Sequence, residues 1–194
     1  MLIQYFGGCL RGGIIVGLGV MCLESVFSAP SPPASLEIGQ PVPAVVLRAA
    51  DGKYVFLGDL CYSGPAKVQK PRSTVVLNFM GVDCAPCKRE LPQFLAQVNA
   101  TTGGMVRAFL INTDPLSRRT DLDLLIKEYS VTCEVLLDPY KVAMKKFKLQ
   151  AIPRTLVIAA DGRLVGSIEG AVEDYADRLA ELLRQANGVG LGTE

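Results

Sequence analysis

Thr74-Val75-Val76-Leu77-Asn78-Phe79-Met80-Gly81-Val82-Asp83-Cys84-Ala85-Pro86-Cys87-Lys88-Arg89-Glu90-Leu91-Pro92 is the stretch from which the rest of the chain is best read. Its first seven residues are β-branched or apolar with a single Asn, the pattern of a strand buried on both faces. From Ala85 to Asn99 the apolar residues Leu91, Phe94, Leu95 and Val98 recur at helical spacing. The two cysteines fall where that strand gives way to that helix. A Cys-x-x-Cys spacing puts both sulfurs in the first helical turn, where they can close a small disulfide ring. Unpaired backbone N–H groups and the helix dipole favour a thiolate there. Such settings lower a Cys pKa from about 8.5 to between roughly 3.5 and 7.5, and the thiolate is the species that attacks in disulfide exchange. Cys84, the outer cysteine, is expected to be the nucleophile. Cys87, one turn in, is expected to resolve the mixed disulfide.

Composition excludes the main rival chemistries. The 194 residues are 49% apolar and 20% charged, with 20 Lys+Arg against 19 Asp+Glu and a net charge of +1. That is a globular chain of about one domain, without the basic footprint of a nucleic-acid binder. Histidine is absent, which removes Ser-His-Asp and Cys-His catalysis, imidazole metal ligation and c-type haem attachment. One Cys-x-x-Cys pair with two distant cysteines is a poor zinc set. No metal and no separate cofactor are expected; the Cys84–Cys87 pair itself is the redox group.

Residues 12–23 (GGIIVGLGVMCL) are uncharged and mostly apolar. Twelve residues suit a signal-peptide core of about 7–15 and fall short of the roughly 20 needed to span a membrane as a helix. Residues 1–28 read as a secretory signal, with a short uncleaved anchor as the rival reading. Cleavage after Ser28 leaves 166 residues beginning at Ala29, with Cys61, Cys84, Cys87 and Cys133 in a compartment that permits disulfides. Residues 29–35 form a Pro/Ser linker.

Beyond it the elements alternate. Strands are expected over 42–48 and 53–57, as a hairpin across Asp51-Gly52, and residues 59–72 read as a loop. The central strand and helix follow at 74–80 and 85–99. Further strands are expected at 105–112 and 133–137, with helices at 121–129 and 140–147. A hairpin at 155–159 and 163–168 turns at Asp161-Gly162, and a closing helix covers 173–185. This order implies a mixed central sheet flanked by helices. Pro153, opening a strand after Ala151-Ile152, suggests a turn.

These residues together resemble the thioredoxin superfamily. More closely, the chain is similar to the TlpA/ResA-like thiol–disulfide oxidoreductases of the AhpC/TSA–redoxin group. The resemblance is carried by Leu77-Asn78-Phe79, by Cys84 through Pro92, and by Ile152-Pro153-Arg154-Thr155 followed by Asp161-Gly162. It implies a thioredoxin-like α/β fold over residues 36–187, with an N-terminal β-hairpin, an αβ insert and a flexible tail at 188–194. It also implies a redox disulfide between Cys84 and Cys87 and a cis bond at Pro153. The Ile152 backbone would pair with an incoming peptide. Partners would be protein thiols and disulfides, resupplied by a membrane or extracytoplasmic thiol donor, with the N-terminus as a candidate anchor. Ile before the proline favours the reducing direction, for example toward apocytochrome c or protein thiols.

The chain departs from that branch at informative places. Asp83 stands where a Trp usually precedes the first Cys. It either opposes the Cys84 thiolate, against Lys88 and the helix terminus, or simply caps the helix. Asn78 replaces the buried Asp of thioredoxin and cannot accept a proton from Cys87. Glu90 is a candidate for that task, its other reading being a solvated helix residue. Arg154 either biases the site toward acidic partners or is a surface charge. Cys61 and Cys133 are a candidate structural disulfide, against an unpaired loop Cys61 and an inert buried Cys133. Two other functions compete with disulfide exchange. One is a thiol peroxidase of peroxiredoxin type, for which the usual proline before the cysteine is missing. The other is a non-catalytic thioredoxin-like scaffold.

Overall fold

The computed structural model describes residues 36–61, 72–101 and 106–189. The expected leader and linker, most of the 59–72 loop and the last five residues lie outside them. Among the described residues no helix is long and apolar enough to cross a membrane.

Among the described residues seven strands form one sheet: β1 (Val46–Ala49), β2 (Tyr54–Phe56), β3 (Thr74–Met80), β4 (Val106–Asn112), β5 (Glu134–Leu137), β6 (Arg154–Ile158) and β7 (Leu164–Glu169). Their spatial order is β2-β1-β5-β4-β3-β6-β7. β3, β4 and β5 run parallel, and β1 and β6 join them antiparallel. The helices are α1 (Gly58–Cys61), α2 (Ala85–Ala100), α3 (Arg119–Glu128), α4 (Val142–Lys146) and α5 (Tyr175–Val189), with a 3-10 turn at Leu116–Arg118.

The alternation of side chains along a strand builds a core on each face of the sheet. All seven residues of β3 are buried. Val75, Leu77 and Phe79 point to the face covered by α4, through Ala143, Met144 and Phe147. Phe79 meets Phe147 edge to face, with ring centroids 6.0 Å apart. Val76 and Met80 point to the other face. There Leu91, Phe94 and Leu95 of α2, Leu122 and Leu125 of α3, and Leu179 and Leu183 of α5 close over the sheet. The crossovers β3-α2-β4 and β4-α3-β5 lie on this same face, as consecutive right-handed crossovers in one direction require.

Several boundaries differ from the sequence reading, for local reasons. The first strand begins at Val46 and not at residue 42. Pro43 has no N–H to give a ladder, and Pro41 instead bridges to Arg163 at the far hairpin. Cys61 lies at the end of the short helix α1 and not in a loop. α3 begins at Arg119, two residues early, because the 3-10 turn feeds it directly. α5 runs on to Val189, so residues 188 and 189 of the expected tail are helical. Both turn glycines hold the positive φ their turns need, +96° at Gly52 and +85° at Gly162.

Candidate functional site

The C-terminal ends of β3 and β4 lie side by side, with Met80 opposite Asn112. The chain leaves β3 through Gly81-Val82-Asp83 and enters α2 at Cys84. Asp114, just past β4, holds this exit. Its carboxylate accepts from the Val82 N–H at 2.7 Å and from Asn112 Nδ2 at 2.6 Å. Gly81 is needed where these parts meet. A Cβ there would sit 3.0 Å from Asp114 Oδ1 and 3.2 Å from Ile152 Cδ1. Gly81→Ala is therefore expected to cost about 1–2 kcal/mol, as overpacking does, and to slow disulfide exchange by displacing the loop that carries Cys84. Urea unfolding and an exchange assay on the same preparation check both effects.

Cys84 is the N-cap of α2, with its Sγ accepting from the Cys87 N–H at 3.2 Å. Cys84 and Cys87 are joined in a disulfide, Cα to Cα 5.2 Å. Cys84 is half-buried and Cys87 is 3% exposed. Ala85 and Pro86 fill the first turn between them, and Pro92 lies within the sixteen-residue helix. The Ile152–Pro153 peptide is cis. Ile152 reaches both cores and touches the space above Gly81, which brings the strand-opening segment to the exit of β3.

Beneath this site lies a buried polar cluster on the α2–α5 face. Asn78 Nδ2 donates to Thr155 Oγ1 at 2.9 Å and to the Tyr175 hydroxyl at 3.4 Å. The Thr155 and Tyr175 hydroxyls are 2.8 Å apart. The three residues satisfy one another in the low-dielectric interior. Tyr175 is not among the residues that the sequence motifs mark. Its place at the start of the closing helix, on the face that carries Leu179 and Leu183, was the available signal. Burial pushes its phenol above the ordinary tyrosine range, with the Thr155 hydrogen bond opposing the shift.

Glu90 is not a solvated helix residue. It is 4% exposed on the same face of α2 as Cys87 and Leu91, and among the described residues its Oε1 has no hydrogen-bond partner. Desolvation raises its pKa from 4.5 to about 7, against a hydrogen bond from the Val172 backbone that lowers it. Asp83 is not the helix cap, since Cys84 fills that role. Its exposed carboxylate is held by the Arg118 guanidinium instead, 2.5 Å from Nη1 and 3.0 Å from Nη2. Lys88 is half-buried in the first turns of α2 and adds a favourable charge for Asp83.

Arg154 is held within the β6–β7 hairpin. Its guanidinium pairs with Glu169 at 2.6 Å, its direct cross-strand neighbour on β7, and its side chain is 13% exposed. The Arg154 charge is thus shared with Glu169 within the hairpin. The Cys61–Cys133 disulfide is not formed; both cysteines are free. Cys61 is buried in the α4-side core, while Cys133 packs against the α2-side core. The sheet stands between them, so no small adjustment brings their sulfurs within bonding range. Burial lifts both thiols to about 11, which leaves them protonated and unreactive near neutral pH.

Comparison with known proteins bears on the fold and the family. The chain is 26% identical over 161 residues to the thiol-disulfide oxidoreductase ResA of Bacillus subtilis, spanning 83% of this chain and 82% of that protein. The fold matches the thioredoxin domain of a thiol-disulfide oxidoreductase from Bacteroides vulgatus, with a TM-score of 0.62 at 20% identity over 77% of this chain and 99% of that one. It also matches StoA of Bacillus subtilis, with a TM-score of 0.55 at 22% identity over 74% and 98%. The architecture is therefore thioredoxin-like. The AhpC/TSA family pattern covers residues 38–167, two thirds of the sequence, and places this chain in the AhpC/TSA family.

Proposed function

We propose that this thioredoxin-like oxidoreductase exchanges disulfides with partner proteins outside the cytoplasm, in the reducing direction, through Cys84 and Cys87. The observation that carries the reading is the Cys84–Cys87 disulfide at the N-cap of α2, beside the cis Ile152–Pro153 segment. In the reduced protein the Cys84 thiolate attacks a partner disulfide. One partner sulfur joins Cys84 and the other leaves as a thiolate, which takes a proton. Cys87 then loses its proton and attacks the Cys84 sulfur. The partner departs as a dithiol, two electrons richer, and the Cys84–Cys87 disulfide is restored. An external thiol donor returns the two electrons for the next cycle.

Glu90 is the group that takes the Cys87 proton in this scheme. It lies one helical turn from Cys87 on the buried face, carries an oxygen unpartnered among the described residues, and has a pKa of about 7, suited to a base at neutral pH. Asn78, in the buried cluster below, is neutral and supplies no such base. The extracytoplasmic placement rests on the apolar run at residues 12–23, which suits an export signal or short anchor.

The deciding measurement is the reduction potential of the Cys84–Cys87 pair, by equilibration with graded dithiothreitol or glutathione. The expected value is near about −270 mV or lower, as for thioredoxin. A value near roughly −120 to −180 mV would reverse the direction and make the protein an oxidant or isomerase.

A further inference from the structure

The residue before the nucleophile is an anion. Asp83 is charged and exposed, and a carboxylate next to Cys84 works against its thiolate. The fold answers it from the next crossover. Arg118, on the 3-10 turn after β4, grips both Asp83 oxygens with its two terminal nitrogens at 2.5 and 3.0 Å. Its Nε is turned the other way and bonds Asp121, in the first turn of α3. The guanidinium is thus fixed from both sides, and its two-pronged contact with Asp83 has the strong geometry for an Arg–carboxylate pair. An exposed ion pair of this kind adds little to stability. Its position, one residue from the attacking sulfur, gives it a different use.

We infer that Arg118 is a positioning residue for Cys84: it pairs with Asp83 and holds its carboxylate toward α3, so that the thiolate forms without an unpaired anion beside it. The inference rests on the reading of Cys84 as the attacking thiol. Among the described residues the other charges around the site do not duplicate this work. Lys88 on α2 acts on Asp83 only through space. The Asp114 carboxylate is taken up by Val82 and Asn112. Arg154 on β6 is paired with Glu169, and Glu90 faces the buried side of α2.

The test is the thiolate pKa of Cys84 in the reduced full chain. It is read from the pH dependence of iodoacetamide alkylation, with the labelled peptide followed by mass. Mass separates the peptide that carries Cys84 from those that carry Cys9, Cys22, Cys61 and Cys133, and burial holds the Cys61 and Cys133 thiols high. Arg118→Ala is expected to raise the Cys84 pKa by about half a pH unit, roughly a threefold loss of thiolate below the pKa. Arg118→Lys, which keeps the charge, is expected to recover most of that shift. Asp83→Asn is expected to lower the pKa, and in that background Arg118→Ala should lose more than half its effect. Two results would overturn the inference. One is an Arg118→Ala protein with an unmoved Cys84 pKa. The other is an equal shift with and without Asp83, which would mean that Arg118 does not act through it. Alkylation is read whether or not the protein exchanges disulfides. Absent exchange would therefore sink the proposed function while leaving this result to stand or fall by itself.

Discussion

Cys84→Ser is expected to abolish disulfide exchange, a loss of about three orders of magnitude or more, because a serine hydroxyl stays protonated where a thiolate is needed. Cys87→Ser is expected to behave differently. It keeps the attacking sulfur and loses the resolving one, so it should stall as a mixed disulfide. Incubated with a disulfide-bonded test peptide and analysed by intact mass under non-reducing conditions, it should carry one peptide per chain. Cys84→Ser should carry none. The asymmetry follows from placement: Cys84 is half-buried at the helix cap, while Cys87 is 3% exposed against the α2-side core. Cys61→Ser and Cys133→Ser are expected to leave exchange unchanged, since both thiols are held high by burial on faces away from the pair. Adduct formation by Cys84→Ser at the wild-type rate would move the chemistry to another cysteine and end the assignment.

The site's covalent centre was readable because its signals are local. TVVLNFM carries its strand in its own composition, and β3 has the expected limits, Thr74–Met80. The Cys-x-x-Cys spacing and the apolar rhythm of Leu91, Phe94 and Leu95 set α2 to within a residue at its end. Asp51-Gly52 and Asp161-Gly162 mark both hairpins, since each turn needs a residue at positive φ. What escaped depends on contacts between distant segments. Arg118 stands 35 residues from Asp83, and in sequence it is one charge among several near the start of α3. The Asn78–Thr155–Tyr175 cluster joins three elements that only the sheet order brings together. The free state of Cys61 and Cys133 is a matter of which face each occupies, and Cys61 sits on a helix whose approach to the sheet no periodicity reveals. Glu90 is the instructive case. Cys87, Glu90, Leu91 and Phe94 stand at i, i+3, i+4 and i+7, so the helical pattern already put this carboxylate on the buried face. Its charge argued for solvent, and the packing of α2 prevailed.

That burial makes Glu90 the source of a specific pH dependence. Its carboxyl has a pKa of about 7 in the folded chain against 4.5 ordinarily. The folded protein therefore holds a proton that the unfolded chain releases between those values. Where the folded state binds more protons, stability falls as pH rises. The contribution is fully present below about pH 4.5 and is lost as pH climbs through 7. The expected decline is about 3 kcal/mol in all, with a slope of at most about 1.4 kcal/mol per pH unit. No histidine titrates in the same window. The salt-bridged carboxylates Asp51, Asp83 and Asp174 have pKa values lowered by Lys53, Arg118 and Arg178 respectively. Their contribution is lost only as pH falls below the ordinary carboxylate range, so it does not overlap. Urea unfolding of the oxidised protein at pH 5, 6, 7 and 8 should show the wild type weakening across the series. Glu90→Gln, which cannot ionise, should be nearly level and more stable than wild type at pH 8. The same substitution removes the base proposed for Cys87, so its resolution step should slow near neutral pH while adduct formation at Cys84 stays close to the wild-type rate. A variant that is level in stability yet resolves normally would keep Glu90 as a buried acid and take the proton from Cys87 by another route. A wild type whose stability does not change between pH 5 and 8 would mean that the carboxyl is ionised and solvated there, and both roles would fall together.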